Sequence, residues 1–129
     1  METTLPYKIE SHRKLCIKKD LIELGQWIDT IENINSELDH LKLIEQQLIK
    51  SSSIQINLQG LRRKSILVMG SLCQYEQELR KEFEYGKREY DLARAKEHEK
   101  RRDHYSAVIE EFRKLKIIIY VNLSKYQRR

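Results

Sequence analysis

The apolar residues in the first third of the chain recur at alternating steps of three and four positions. This spacing brings them to one face of an α-helix and is typical of helices that pack lengthwise against other helices. Their stripe runs through Ile17, Leu21, Leu24, Ile28, Ile31, Ile34, Leu38, Leu41, Ile44 and Leu48. One early step, at Ile34, interrupts the heptad and would overwind the packing locally. The pattern predicts a helix over residues 11–50.

The same spacing returns twice in the rest of the chain. The second stripe runs through Leu58, Leu61, Ser65, Val68, Leu72, Tyr75, Leu79, Phe83, Gly86, Tyr90 and Ala93, and the third through Tyr105, Val108, Phe112, Leu115, Ile119, Leu123 and Tyr126. Residues that break helices are scarce, with one proline and four glycines in 129 residues. We therefore predict an all-α fold with further helices over residues 54–101 and 103–126. The length suits a single domain over residues 1–129, built as a long helical hairpin or a coiled-coil-like helical bundle.

The start of the second helix has a competing interpretation. Ile54, Ile56 and Leu58 alternate with polar residues, which is also the period of a β-strand. Serines precede them, and Ser52 with Gln55 fits a capping box at a helix N-terminus. Because a lone short strand has no obvious pairing partner in this sequence, we favour the helix start.

The segment 84–105 decides the overall shape of the molecule. It holds 13 charged side chains among 22 residues and no proline. A continuous helix from Leu58 to Leu123 would be on the order of 100 Å long, whereas a compact domain of this length has a radius of gyration of about 14 Å. A straight run through the segment indicates an elongated assembly protein. A bend near residues 98–103 indicates a compact three-helix bundle.

Charge is distributed unevenly along the chain, in which 35% of the residues are charged and the net charge is +5. Residues 21–50 contain six acidic and two basic side chains, whereas residues 51–129 contain 18 basic and 11 acidic ones. The simplest use of this division is an acidic helix packed beside a basic one, within one chain or between subunits. An anionic partner is the competing use.

Two residue pairs have the spacing of metal ligands on one helical face. Glu37 and His40 form a Glu-x-x-His, a motif that di-iron bundles use twice and combine with two further glutamates. His12 and Cys16 stand four positions apart, but no second pair completes a set of four zinc ligands. We therefore predict no metal site and no cofactor.

No sequence motif indicates catalysis. Cys73 lies in an apolar run, and burial makes a thiol unreactive. The segment 60–64 contains a glycine and a lysine but lacks the second glycine and the Lys-Ser/Thr order of a phosphate-binding loop. An enzyme is therefore not expected.

Nucleic-acid binding is the alternative function. The basic side chains that would contact phosphates form two clusters, Arg62, Arg63 and Lys64 in one and Lys100, Arg101 and Arg102 in the other. Within residues 84–105, however, acids stand three or four positions from bases, which favours an exposed helix that neutralises its own charge. Because phosphate-binding surfaces usually exclude acids, non-specific nucleic-acid binding ranks second.

The leading prediction is a non-catalytic interaction or scaffold protein that pairs with itself or with a helical partner. Apolar stripes of this length exceed what one three-helix arrangement easily covers, and self-association would cover the remainder. The residues predicted to form that interface are Leu24, Trp27, Ile28, Ile31, Leu72, Leu79 and Phe83.

The predicted location is the cytoplasm. The chain has only two cysteines, Cys16 and Cys73, and neither belongs to a CxxC motif, which is typical of a reducing compartment. The N-terminus lacks the apolar segment of a signal peptide. The longest apolar run, residues 117–121, is too short to cross a membrane, so no membrane partner is expected.

Overall fold

The chain folds into three long helices, described by a computed structural model over residues 6–126. The helices are α1 (Tyr7–Ile44), α2 (Ser52–Tyr85) and α3 (Leu92–Ser124), and a π-helical turn at Glu45–Ile49 continues α1. No strand occurs within the described residues, so the predicted all-α class and helical bundle are confirmed. Both ends of the predicted domain, residues 1–5 and 127–129, lie outside the described part.

The helices form an up-down-up bundle. Contacting pairs between α1 and α2 run in opposite directions along the two helices, whereas pairs between α1 and α3 run in the same direction. The diagnostic pairs are Arg13–Glu82 and Asn35–Ser65 for α1 with α2, and Glu23–Arg102 and Glu37–Lys116 for α1 with α3. Each helix therefore packs against both others, and α3 folds back beside α2 instead of extending it.

A left-handed residue and a serine cap form the connection between α1 and α2. Lys50 adopts φ 54° and ψ 49°, the left-handed conformation in which many helices end. Ser51 caps α2, because its hydroxyl oxygen accepts the backbone N–H of Ile54 at 3.4 Å. Residues 54–59 are helical, so the favoured helix start is confirmed and the strand interpretation is wrong. The capping residue is Ser51, not the predicted Ser52.

The turn between α2 and α3 lies at residues 86–91, earlier than predicted. The helices predicted over residues 54–101 and 103–126 are therefore wrong at their junction, since the charged residues 98–103 lie inside α3. The chain does not run straight, and the bundle is the compact three-helix form, but with its bend at a different place.

Local polar contacts explain the position of this turn. Gly86 leaves α2 in an extended conformation, and a Cβ atom there would overlap the carboxyl group of Glu82. Glu82 cannot easily move away, because Arg94 of α3 binds its Oε1 atom at 2.6 Å. Asp91 then begins α3, since its carboxylate accepts the backbone N–H of Arg94 at 3.0 Å.

One hydrophobic core runs along the bundle and contains residues of all three helices. Its buried members are Ile17, Leu24, Trp27, Ile31, Ile34, Leu38, Leu41, Ile54, Leu58, Leu61, Leu72, Tyr75, Leu79, Val108, Phe112, Leu115 and Ile119. Burying each of the large side chains contributes roughly 1.5–3 kcal/mol to stability. The predicted stripe of α1 faces this core except at Leu48, which is 38% exposed.

Leu24→Ala should lower the free energy of unfolding by about 2–5 kcal/mol, because the fully buried side chain loses its apolar contacts and leaves a cavity. The matched control is Leu15→Ala on the same helix, where the side chain is 68% exposed and the change should stay below about 0.5 kcal/mol. Urea unfolding followed by circular dichroism measures both values. Equal effects at the two positions would contradict this description of the core.

Candidate functional site

Among the described residues, one arginine, one aspartate and one histidine are buried in the half of the bundle that contains the turn between α2 and α3. Arg13 is 1% exposed, Asp20 is 4% exposed and His98 is 3% exposed. Removing an ion from water costs several kcal/mol unless the ion is paired and hydrogen-bonded. The partners of these three side chains therefore define the most constrained polar region of the molecule.

His98 lies at the centre of a cluster to which all three helices contribute. Its Nδ1 atom is 2.8 Å from the hydroxyl of Tyr75 on α2, and its ring stacks on Trp27 of α1 with centroids 4.9 Å apart. Its Nε2 atom lies 3.4 Å from Asp20 Oδ1 and 3.5 Å from Glu23 Oε1. That nitrogen is buried and makes no hydrogen bond with any described residue. Burial lowers the pKa of His98 and so favours the neutral ring.

Each of the two carboxylates beside His98 accepts a hydrogen bond from a second side chain. The Tyr90 hydroxyl donates to Asp20 Oδ2 at 2.5 Å, and Arg102 Nη2 donates to Glu23 Oε2 at 2.9 Å. Burial raises the pKa of Asp20 despite the opposing hydrogen bond from Tyr90. Burial also opposes ionisation of Glu23, but the hydrogen bond and charge of Arg102 lower the pKa of that carboxyl. We call this set the buried polar cluster: Asp20, Glu23, Tyr75, Tyr90, His98 and Arg102.

A second polar network lies beside the buried polar cluster, nearer the start of α1. Arg13 Nη1 donates to the backbone carbonyl of Glu82 at 2.6 Å, and Arg13 Nη2 donates to Glu10 Oε1 at 2.8 Å. Arg94 of α3 binds the carboxylate of Glu82 at 2.6 Å. The hydrogen bond with Glu10 raises the pKa of Arg13, which keeps the buried guanidinium charged. This network therefore links all three helices.

A cleft of about 530 Å³ opens beside the buried polar cluster. Its walls include Asp20, Tyr75 and Tyr90 from the cluster and Glu82 and Arg94 from the neighbouring network. The carboxylate of Asp20 thus lies between the buried ring of the histidine and a polar cleft at the surface.

The six basic residues predicted to contact nucleic acid do not form one free surface. Four of them bind acidic side chains, and the pairs are Arg62–Asp39, Lys64–Glu111, Arg101–Glu97 and Arg102–Glu23. Within residues 6–126, Arg63 on α2 and Lys100 on α3 are the members of the set that are exposed and form no ion pair. Because the other four are paired, less of their charge is available to phosphates.

The seven residues predicted to form a partner interface lie in or against the core of the chain itself. The buried ones are Leu24, Trp27, Ile31, Leu72 and Leu79, and the half-buried ones are Ile28 and Phe83. Trp27, which is not a member of the apolar stripe predicted for the first helix, stacks on His98 and on Tyr105 in the interior. In this fold the five buried side chains join helices of one chain, whereas Ile28 and Phe83 keep part of their surface exposed.

Neither residue pair with metal-ligand spacing gains a third ligand. Glu37 forms an ion pair with a lysine of α3, and His40 is exposed. His12 is also exposed, with its Nε2 atom 3.5 Å from Cys16 Sγ. In the described part of the chain, the one group of three potential ligands lies in the buried polar cluster.

The buried polar cluster was not predicted from the sequence, because apolar side chains are the main signal of each stripe. The signal was present in the spacing. Asp20 stands between Ile17 and Leu24 at steps of three and four, and His98 precedes Tyr105 by one heptad. A polar residue at such a position predicts either a buried pair or an interruption of the stripe, and here it is a buried pair.

Comparison of the chain with models of known protein families, with curated proteins and with solved structures found no match in any of the three. Among the described helices, none combines the length and the apolarity that crossing a membrane requires.

Arg13→Ala should lower the free energy of unfolding by about 2 kcal/mol, because it removes a buried charged hydrogen-bond donor shared by α1 and α2. Arg80→Ala is the matched control, since Arg80 is 66% exposed and pairs with Glu76 on the same helix at 3.8 Å. Its effect should be about 0.5 kcal/mol or less. Chemical unfolding measures the difference, and an equal loss in both variants would contradict a role for the buried network.

Proposed function

We propose that this chain is a non-catalytic interaction protein that self-associates through exposed apolar residues at one end of its bundle. The observation that carries the proposal is their distribution: of the fifteen exposed large hydrophobic side chains within residues 6–126, eight lie in residues 43–56 and 117–126. We call these eight the apolar end: Leu43, Leu48, Ile56, Ile117, Ile118, Tyr120, Val121 and Tyr126. The last turns of α3 pack beside the π-helical turn at this end of the bundle.

The apolar end arises because the last part of α3 is apolar on every side. Ile119 is fully buried against the other helices, whereas Ile117, Ile118, Tyr120 and Val121 are between 46% and 57% exposed. Two neighbouring helices can cover only one side of a third. Large exposed apolar groups that lie close together are typical of surfaces that bind other proteins.

A second copy of the chain is the partner that we propose. An isologous contact uses the same surface on both copies, so the apolar end of one copy would cover the apolar end of the other.

Ile117→Asp should shift the chain towards the monomer, because it places a charge in the proposed contact. The matched control is Ile22→Asp on α1, with the same residue type and an exposure of 58% against 57% for Ile117, which should leave the mass unchanged. Sedimentation equilibrium over a wide range of protein concentrations measures the mass of all three proteins.

Two outcomes would contradict self-association through the apolar end. The first is a wild-type chain that stays monomeric at every concentration measured. The second is an oligomer that Ile22→Asp dissociates and Ile117→Asp does not. Circular dichroism of each variant confirms that the helical fold is retained.

The nucleic-acid alternative has less support from the surface, because Arg63 and Lys100 alone keep unpaired exposed charge among the six basic residues proposed for it. We expect fluorescence anisotropy with a generic oligonucleotide to show no binding at low salt. Binding that weakens steeply as salt rises, and that Arg63→Gln or Lys100→Gln reduces, would favour this alternative over self-association.

A further inference from the structure

His98 presents a buried nitrogen that no described residue satisfies. The other ring nitrogen, Nδ1, is engaged by the hydroxyl of Tyr75 at 2.8 Å, which fixes the orientation of the ring. Nε2 then points between Asp20 and Glu23, and the side chain of His98 is 4% exposed. A histidine that binds a metal through one nitrogen almost always hydrogen-bonds through the other, and Tyr75 supplies that second contact here.

Each of the two carboxylates likewise has one oxygen held from outside and one oxygen facing His98. Tyr90 binds Asp20 Oδ2, which leaves Oδ1 directed at the histidine. Arg102 binds Glu23 Oε2, which leaves Oε1 directed at the same point. Hydrogen bonds of this kind position ligating carboxylates in metal sites.

The distances fit a bound ion. The Nε2 atom lies 3.4 Å from Asp20 Oδ1 and 3.5 Å from Glu23 Oε1, and the three atoms all lie within 4.8 Å of one another. Zinc binds nitrogen and oxygen ligands at about 2.0–2.2 Å, so two ligands at a tetrahedral angle stand about 3.4 Å apart. An ion therefore fits between the three atoms with only small side-chain movements.

We infer that Asp20, Glu23 and His98 bind one divalent transition-metal ion, with Zn²⁺ as the representative probe. One imidazole nitrogen and two carboxylate oxygens suit a borderline ion such as zinc, whereas calcium and magnesium are bound by oxygen ligands alone. Of the three proposed ligands, Asp20 is the one that also lines the neighbouring cleft. The site lies in the opposite half of the bundle from the apolar end and does not depend on self-association.

Two other arrangements compete with this site. The first is a proton in place of the metal, with the Nε2–H of His98 shared between the two carboxylates, in which case the chain binds no zinc. The second is a surface site at His12 and Cys16, whose Nε2 and Sγ atoms lie 3.5 Å apart. A shared proton predicts that no zinc binds. A surface site predicts zinc binding that depends on His12 and a sulfur atom among the ligands.

The test is a calorimetric titration of the chelator-treated full chain with Zn²⁺, read in parallel by fluorescence. Trp27 is the only tryptophan in the chain and stacks on His98, so its emission should change in step with binding and stop changing at one equivalent. Glu23→Gln should weaken binding at least tenfold, because it removes a charged ligand. His12→Gln is the control and should bind as tightly as the wild type.

Absence of zinc binding by the wild type would overturn the inference. Binding that survives Glu23→Gln and disappears in His12→Gln would overturn it as well. X-ray absorption of the zinc-loaded wild-type chain gives an answer even if Glu23→Gln fails to fold. The proposed site predicts nitrogen and oxygen neighbours only, whereas a sulfur neighbour would assign the metal to a site that contains Cys16 or Cys73.

Discussion

The contact of His98 with Asp20 and Tyr75 brings one residue from each helix to a single point in the interior. None of the three can leave that point cheaply, because a buried titratable group without a partner costs several kcal/mol. Tyr75 holds Nδ1 of the ring at 2.8 Å, and Tyr90 holds Asp20 from the segment that precedes α3. Apolar stripes alone tolerate a shift of one helix along another, whereas these directional contacts allow one alignment.

The long helices and their apolar faces were predictable from the sequence, because steps of three and four over many turns leave few other interpretations. The turn at residues 86–91 was not predictable in the same way. Gly86 belongs to the second apolar stripe as a small residue and so does not indicate a helix end. The charged residues 98–103 interrupt the apolar pattern and so predict the bend at the wrong place. The need for glycine at residue 86 arises from a contact between α2 and α3, in which Arg94 holds Glu82 in the space that a Cβ atom would need.

The candidate site was likewise predictable only in part, because the sequence shows where its residues lie along each helix but not which of them meet. The heptad positions of Asp20 and His98 are visible in the sequence, but their meeting depends on α3 folding back parallel to α1. With the bend placed at residues 98–103, His98 would lie at a turn and not beside Trp27. The core location of Trp27 likewise depends on that bend, because its stacking partners are both on α3. A wrong turn therefore conceals the whole site.

The bundle thus has a buried polar cluster in one half and an exposed apolar surface at the other end. The ring of His98 is the group whose signals report most directly on the buried polar cluster. The decisive measurement is a long-range proton–nitrogen NMR spectrum of the four histidines, recorded with and without Zn²⁺. We predict that His98 gives ring signals distinct from the exposed histidines and that zinc shifts its Nε2 resonance. Ring signals for His98 that match an exposed histidine, or a zinc shift confined to His12, would contradict the account.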